Sequence, residues 1–102
     1  MYSNEIWNVE IRGKVRRALE KIPAKNARDI IATIQELKIN PFSGDIEKVK
    51  GEINIWRRRT GSYRIFYEIY QQTRSVFVYH IEHRGSHTYW YSQQSPNGYV
   101  SF

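Results

Sequence analysis

The sequence predicts an α+β domain: two N-terminal helices packed on one face of a small, curved antiparallel sheet, in the order β-α-α-β-β-β. Three observations lead there. Apolar residues recur at helical spacing in two runs before Asn40-Pro41, and strand-forming residues fill three runs after Ile53. Neither layer buries its apolar side alone, and stacking the helices on one sheet face buries both. The chain has 102 residues, which fits one domain spanning 1–102 with a small core and leaves little room for a second.

The elements follow in order. Over Ile6–Ile11, Trp7, Val9 and Ile11 alternate with Asn8 and Glu10, which is the period of a strand. Val15, Ala18, Leu19 and Ile22 then hold the i, i+3, i+4, i+7 positions of a short amphipathic helix, and Pro23 ends it. Ala27, Ile30, Ile31, Ile34 and Leu37 form a second apolar stripe. Asn40-Pro41 closes that helix, because a residue before proline is pushed out of the α region. Phe42 to Lys50, with Gly44 and Asp45, reads as a loop. Ile53–Arg59 reads as a strand, Thr60-Gly61-Ser62 as a turn, Tyr63–Tyr70 as a strand, Gln71–Arg74 as a turn and Ser75–Glu82 as a strand. The polar and aromatic tail after Tyr89 receives no element.

Composition removes several classes of function. No apolar run approaches the ~20 residues of a spanning helix, so no membrane partner is expected. Residues 1–13 lack the apolar stretch of a secretory signal. Cysteine is absent, which excludes disulfides and thiolate metal sites and is compatible with a cytoplasmic location. No His, Asp and Glu spacing suggests a metal, no glycine-rich phosphate loop is present, and no cofactor is expected. The net charge of +6 favours nucleic acid, an acidic protein or an anionic surface as partner. That charge is concentrated. Lys48 to Arg64 holds six cations against the single acid Glu52, while the helical half mixes signs as solvated faces do.

An antiparallel sheet covered by helices on one face leaves the other face for function. Arg57 and Arg59 are two apart on one strand and share a face, with Arg58 opposite. Arginine holds phosphate through a planar, two-pronged contact, so this face suits RNA. Trp7, Trp56, Phe66 and Phe77 read as core. Tyr63, Tyr67 and Tyr79 read as packing residues with wet hydroxyls, and His80 as a core-edge histidine. His87 divides evenly between solvent and site, and Glu68 is expected to pair with a neighbouring arginine or, as the alternative, to act as a general base.

The run WRRRTGSYRIFYEI, the later HRGSHTY, the helical RRALEKIP and ELKINP, and the Lys50-Gly51 step together resemble the RelE/ParE toxin superfamily, from Val9 to about Tyr89. The resemblance implies this fold and an acidic or amphipathic RelB-like antitoxin that wraps the toxin and blocks its site. For the RelE branch it implies metal-independent cleavage of mRNA in the ribosomal A site. The ParE branch inhibits DNA gyrase and lacks the nuclease residues, and a decayed relative that only binds RNA or antitoxin is a third alternative. Carried over from the RelE branch, the site comprises Arg64 of the YR step, Arg57 and Arg59 on the preceding strand, Arg84 after the last strand, and the late Tyr89. Two departures stand out: Ile55 occupies a position where the best-known members carry lysine, and strict spacing from Arg84 reaches Trp90, whereas the shorter spacing of other branches reaches Tyr89. His83 is similar to a histidine that serves as acid or base in some branches.

Metal-free RNA cleavage uses the 2′-hydroxyl as nucleophile on the adjacent phosphate. It needs a proton acceptor, cations to stabilise the crowded phosphorane, and an acid for the leaving oxygen. Arg57 and Arg64 suit the clamp. His83, whose free imidazole titrates near neutrality, is the expected proton donor, with Arg84 as the second candidate. Tyr89 suits base stacking or proton acceptance, and Lys50 and Arg59 suit flanking phosphates.

Overall fold

The computed structural model describes residues 6–83 and 99–102. The chain runs β1 (Asn8–Arg12), α1 (Gly13–Lys21), α2 (Ala24–Ile39), β2 (Ile46–Lys48), β3 (Ile55–Thr60), β4 (Tyr63–Tyr70), β5 (Ser75–His83) and β6 (Tyr99–Ser101). One six-stranded sheet has the order β2-β3-β4-β5-β1-β6. The α+β class and the helix, helix, meander order are as expected. The sheet is mixed, because β1 joins β5 in parallel with Asn8 opposite Ser75 and Ile11 opposite Val78. Two edge strands extend it. β2 lies within the stretch read as a loop and pairs with β3, and β6 comes from the tail and pairs with β1.

Local chemistry explains the boundaries. Pro23 sits at the N-cap of α2, where a missing N–H costs nothing. Asn40, before Pro41, is extended at φ −155°, and α2 stops there. Gly61, at φ 60°, makes the β3–β4 turn.

The core lies between the helices and one sheet face. Val15 of α1 and Ile30, Ile34 and Leu37 of α2 pack on Val9 and Ile11, on Ile65, Tyr67 and Ile69, and on Val76 and Val78. Ile31, expected in this stripe, is instead 37% exposed, and Thr33 takes the inward place. The Thr33 hydroxyl donates to the Asp29 carbonyl at 3.0 Å and accepts from Thr60 at 3.1 Å, so its burial leaves no unmet hydrogen bond. Tyr67 departs from expectation as well. Its hydroxyl is not wet but buried, donating to the Pro41 carbonyl at 3.1 Å, and burial pushes the phenol pKa up. Among the described residues no helix is long and apolar enough to cross a membrane.

The opposite face is only partly open. Ile55, Phe66 and Tyr79 form a second buried cluster there, with Val49 and Tyr99 against it. A β-bulge shapes this face: Phe66 pairs with His80 and Tyr67 with Val78, leaving Tyr79 as the extra residue. Tyr79 and His80 then both approach Phe66, with ring centroids 6.4 and 5.5 Å away. Beyond the bulge the alternation of β5 is inverted. Ile81 packs with the helix-side core, and Glu82 comes opposite Arg64.

Candidate functional site

The arginines of β3 separate by face as their spacing requires. Arg58 turns toward the helices, bonding Glu36 of α2 at 2.5 Å and the Ser43 carbonyl at 3.3 Å. Gly44, at φ +86°, leaves room for that guanidinium, because a Cβ there would collide with Arg58 Cζ. Arg57 and Arg59 lie on the other face. Arg64, directly across from Arg59 on β4, joins them. These three line a cavity of about 120 Å³ whose remaining walls are Asp45 and Glu47.

Each of the three cations meets a carboxylate. Arg57 grips Glu47 Oε1 through Nη2 at 2.7 Å and Nε at 3.2 Å. Arg59 Nε bonds Asp45 at 3.2 Å, and Arg64 Nη1 lies 3.8 Å from Glu82. The hydrogen bond from Arg57, reinforced by its charge, holds the Glu47 carboxyl below its ordinary range. The Arg57–Glu47 and Arg59–Asp45 pairs are exposed and therefore weak, so a phosphate is able to displace them, whereas Glu82 is mostly buried beside Arg64. The two acids were invisible as site residues in the sequence, because the stretch holding them reads as a loop. The short strand β2, which brings Glu47 opposite Arg57, is specified only by its pairing with β3.

Lys50 adjoins this cavity. It lines an open groove of about 730 Å³ along the β2 edge that shares Glu47 and Arg57 with it. His83 does not join the arginines. The bulge places it opposite Tyr63, whose ring belongs to the helix-side core, at a centroid distance of 4.7 Å. Arg84 and Tyr89 lie outside the described residues, as do His87 and Trp90. Ile55 is buried against Phe66 and Tyr79, so an apolar contact stands where lysine was the alternative. Glu68 is opposite Ile55 and bonds Tyr70 in place of the expected arginine. Burial raises its pKa, with the Tyr70 bond opposing. Among the described residues no three His, Asp or Glu side chains converge as metal ligands.

A cavity with three guanidinium groups on one side and carboxylates on the other has the chemistry to take phosphate in exchange for carboxylate. It also offers a proton acceptor beside the position that phosphate would take.

The chain is similar to known proteins. Residues 9–87 match the family model for the ParE toxin of the type II toxin–antitoxin system parDE. The candidate toxin RelE1 of Methanocaldococcus jannaschii is 31% identical over 81 residues, covering 76% of this chain and 90% of that one. The chain is similar in structure to the archaeal RelE–RelB complex of Pyrococcus horikoshii, with a TM-score of 0.69 at 24% identity over 78% of this chain and 96% of the other. It is similar also to the toxin of the RelB–RelE complex from Methanococcus jannaschii, with a TM-score of 0.60 at 25% identity over 72% of this chain and 87% of the other.

Proposed function

We propose, from the premise that this chain belongs to the ParE toxin family of type II toxin–antitoxin systems, that it is a RelE-type toxin that cleaves mRNA on the ribosome without a metal. The observation that supports this reading is the convergence of Arg57, Arg59 and Arg64 on one cavity of the open face. The scissile phosphate exchanges with the carboxylate now held by Arg57 and comes beside Arg64. Those two arginines neutralise the charge that grows on the phosphorane as the 2′-oxygen bonds to phosphorus and the 5′-oxygen departs. Arg59 and Lys50 hold flanking phosphates. Glu47, ionised beside Arg57, is the described carboxylate best placed to accept the 2′ proton. The proton for the leaving oxygen comes from the segment after β5, from Arg84 or Tyr89. His83, packed on Tyr63, is a less direct donor. The products are a 2′,3′-cyclic phosphate and a 5′-hydroxyl.

The regulating partner is a cognate antitoxin with an acidic segment, which presents carboxylates to the same arginines that Asp45, Glu47 and Glu82 occupy in the free chain. The site of action is the cytoplasm, where translated mRNA is found. The ParE name of the family favours a second reading, binding and inhibition of DNA gyrase with no bond broken.

Primer extension on a reporter mRNA in a translating extract tests the proposal, with Arg64→Ala and Arg84→Ala beside the wild type. Ribosome-dependent cuts that weaken by about a hundredfold or more in Arg64→Ala are expected. Arrest without cuts, together with loss of supercoiling by gyrase, would replace the nuclease with the gyrase reading.

A further inference from the structure

The three arginines of the cavity are not held alike. Arg59, Arg64 and Glu82 stand abreast on β3, β4 and β5, because Arg59 pairs with Arg64 and Arg64 with Glu82. Like charges directly opposite one another on neighbouring strands repel, as Arg59 and Arg64 do. An acid closes the row at each end. Asp45 accepts from Arg59 Nε at 3.2 Å, and Glu82 lies 3.8 Å from Arg64 Nη1. The acids of the cavity differ in burial. The side chains of Asp45 and Glu47, which hold Arg59 and Arg57, are 65% and 67% exposed, whereas that of Glu82 is 19% exposed. An ion pair partly withdrawn from water is screened less than an exposed one.

Glu82 is also anchored from behind. Its Oε2 faces Arg64, and its Oε1 lies 3.8 Å from His80 Nε2. His80 is buried, with its ring centroid 5.5 Å from that of Phe66, a member of the second buried cluster. Burial, helped by the charges of Lys14 and Arg12, pushes the imidazole down to about 4. A neutral imidazole leaves Arg64 as the cation that Glu82 serves. A line of contacts thus runs from the cluster through His80 and Glu82 to the Arg64 guanidinium. The bulge at Tyr79 creates it, by turning Glu82 to the face on which Arg64 lies.

We propose that Glu82 is a positioning residue for Arg64: it stays in place when RNA displaces Asp45 and Glu47, and it holds the guanidinium at the cavity against the repulsion of Arg59. The part of this that concerns RNA rests on the nuclease reading of the cavity. Arginine is long and has rotamer freedom to lose, and a cation stabilises a phosphorane best when its donors are oriented before the reaction. Among the described residues the acids on Arg57 and Arg59 are exposed ones. Arg64 is therefore the fixed cation of the site, and the other two are the adaptable ones. Glu82 acts through Arg64 and takes no proton itself.

The test compares the full wild-type chain with Glu82→Gln, which keeps the shape and removes the charge. Heteronuclear NMR relaxation of the arginine Nε–H groups reads the position of Arg64 without any substrate. Arg64 is expected to be ordered in the wild type and mobile in Glu82→Gln, with Arg58, held by Glu36, as the unchanged reference. Single-turnover cleavage of mRNA on programmed ribosomes reads the consequence. Glu82→Gln is expected to slow the saturating rate about tenfold or more, without raising the toxin concentration that gives half of it. Arg64→Ala/Glu82→Gln is expected to be no slower than Arg64→Ala, as for two residues that act as one. Should Glu82→Gln not fold, Glu82→Asp, which draws the charge back by one methylene, shows the same changes at smaller size. Arg64 equally ordered with and without the Glu82 charge overturns the positioning role. So does a wild-type rate in Glu82→Gln beside a slow Arg64→Ala, or a slowing that multiplies with that of Arg64→Ala, and each of these leaves the nuclease standing. A wild type that cuts nothing, with Arg64 ordered only when Glu82 is charged, overturns the nuclease and keeps the anchor.

Discussion

Glu47 would hold two opposed duties in the proposed reaction. Its carboxylate occupies Arg57, the guanidinium that the RNA would have to reach, and it is the acceptor proposed for the 2′ proton. Removing the charge therefore separates binding from chemistry. Glu47→Gln is expected to tighten RNA binding by no more than about fivefold, since an exposed pair is weak, while slowing cleavage. Filter binding beside single-turnover cleavage checks it, and equal changes in both would remove Glu47 as the base. Tyr67 offers a test of the core at the same scale. Its buried hydroxyl is the hydrogen-bond partner of the Pro41 carbonyl. Tyr67→Phe leaves that carbonyl unmet and is expected to cost about 1–3 kcal/mol, seen as a shifted midpoint in urea with an unchanged slope. The arginine spacing was legible in the sequence, because residues two apart on a strand share a face whatever surrounds them. The acids opposite them were not, since Asp45 and Glu47 gain meaning only from a neighbouring strand.

β5 governs what joins the site. Without the bulge at Tyr79, His83 would share the open face with Phe77 and Tyr79, and Glu82 would point at the helices. With it, Glu82 meets Arg64 and His83 stacks on Tyr63. His83→Gln is accordingly expected to change the single-turnover cleavage rate by less than about threefold, under 1 kcal/mol of barrier, and a loss near that of Arg64→Ala would return the proton-donor role to His83. Element boundaries were readable wherever a single residue sets them. Pro23, Asn40-Pro41 and Gly61 act through their own backbones. β4 spans Tyr63–Tyr70 as its strand formers suggest. The two three-residue edge strands carry too few residues to display a period, and β6 forms only because β1 has an unpaired edge.

Across the whole molecule, charge and burial combine in His80. Burial depresses its pKa from 6.5 to about 4, with the help of Lys14 and Arg12. Between those values the unfolded chain holds a proton that the native chain does not, so this contribution to stability is complete above pH 6.5 and declines as pH falls toward 4. The loss amounts to at most roughly 1.4 kcal/mol per pH unit in that window. Glu68, whose pKa is raised by burial, works in the opposite sense. Thermal melts of the wild type and His80→Gln between pH 7 and 4.5 are expected to converge as the pH falls, and parallel curves would remove His80 from the acid response.

The sequence by itself determined the α+β class, the order of helices and meander, and the face shared by Arg57 and Arg59, and its motifs carried the resemblance to the family. The first three follow from local periods of 2 and 3.6 residues and from proline and glycine, and Arg64 joins the other two only through the pairing of β3 with β4. Only the tertiary structure decided that β1 lies parallel to β5, that Asp45, Glu47 and Glu82 occupy the arginines, and that His83 leaves them. Each depends on which strand lies next to which. The bulge that inverts the end of β5 accommodates Phe66, Tyr79 and His80 packed together, and no window of the sequence contains both strands of that contact.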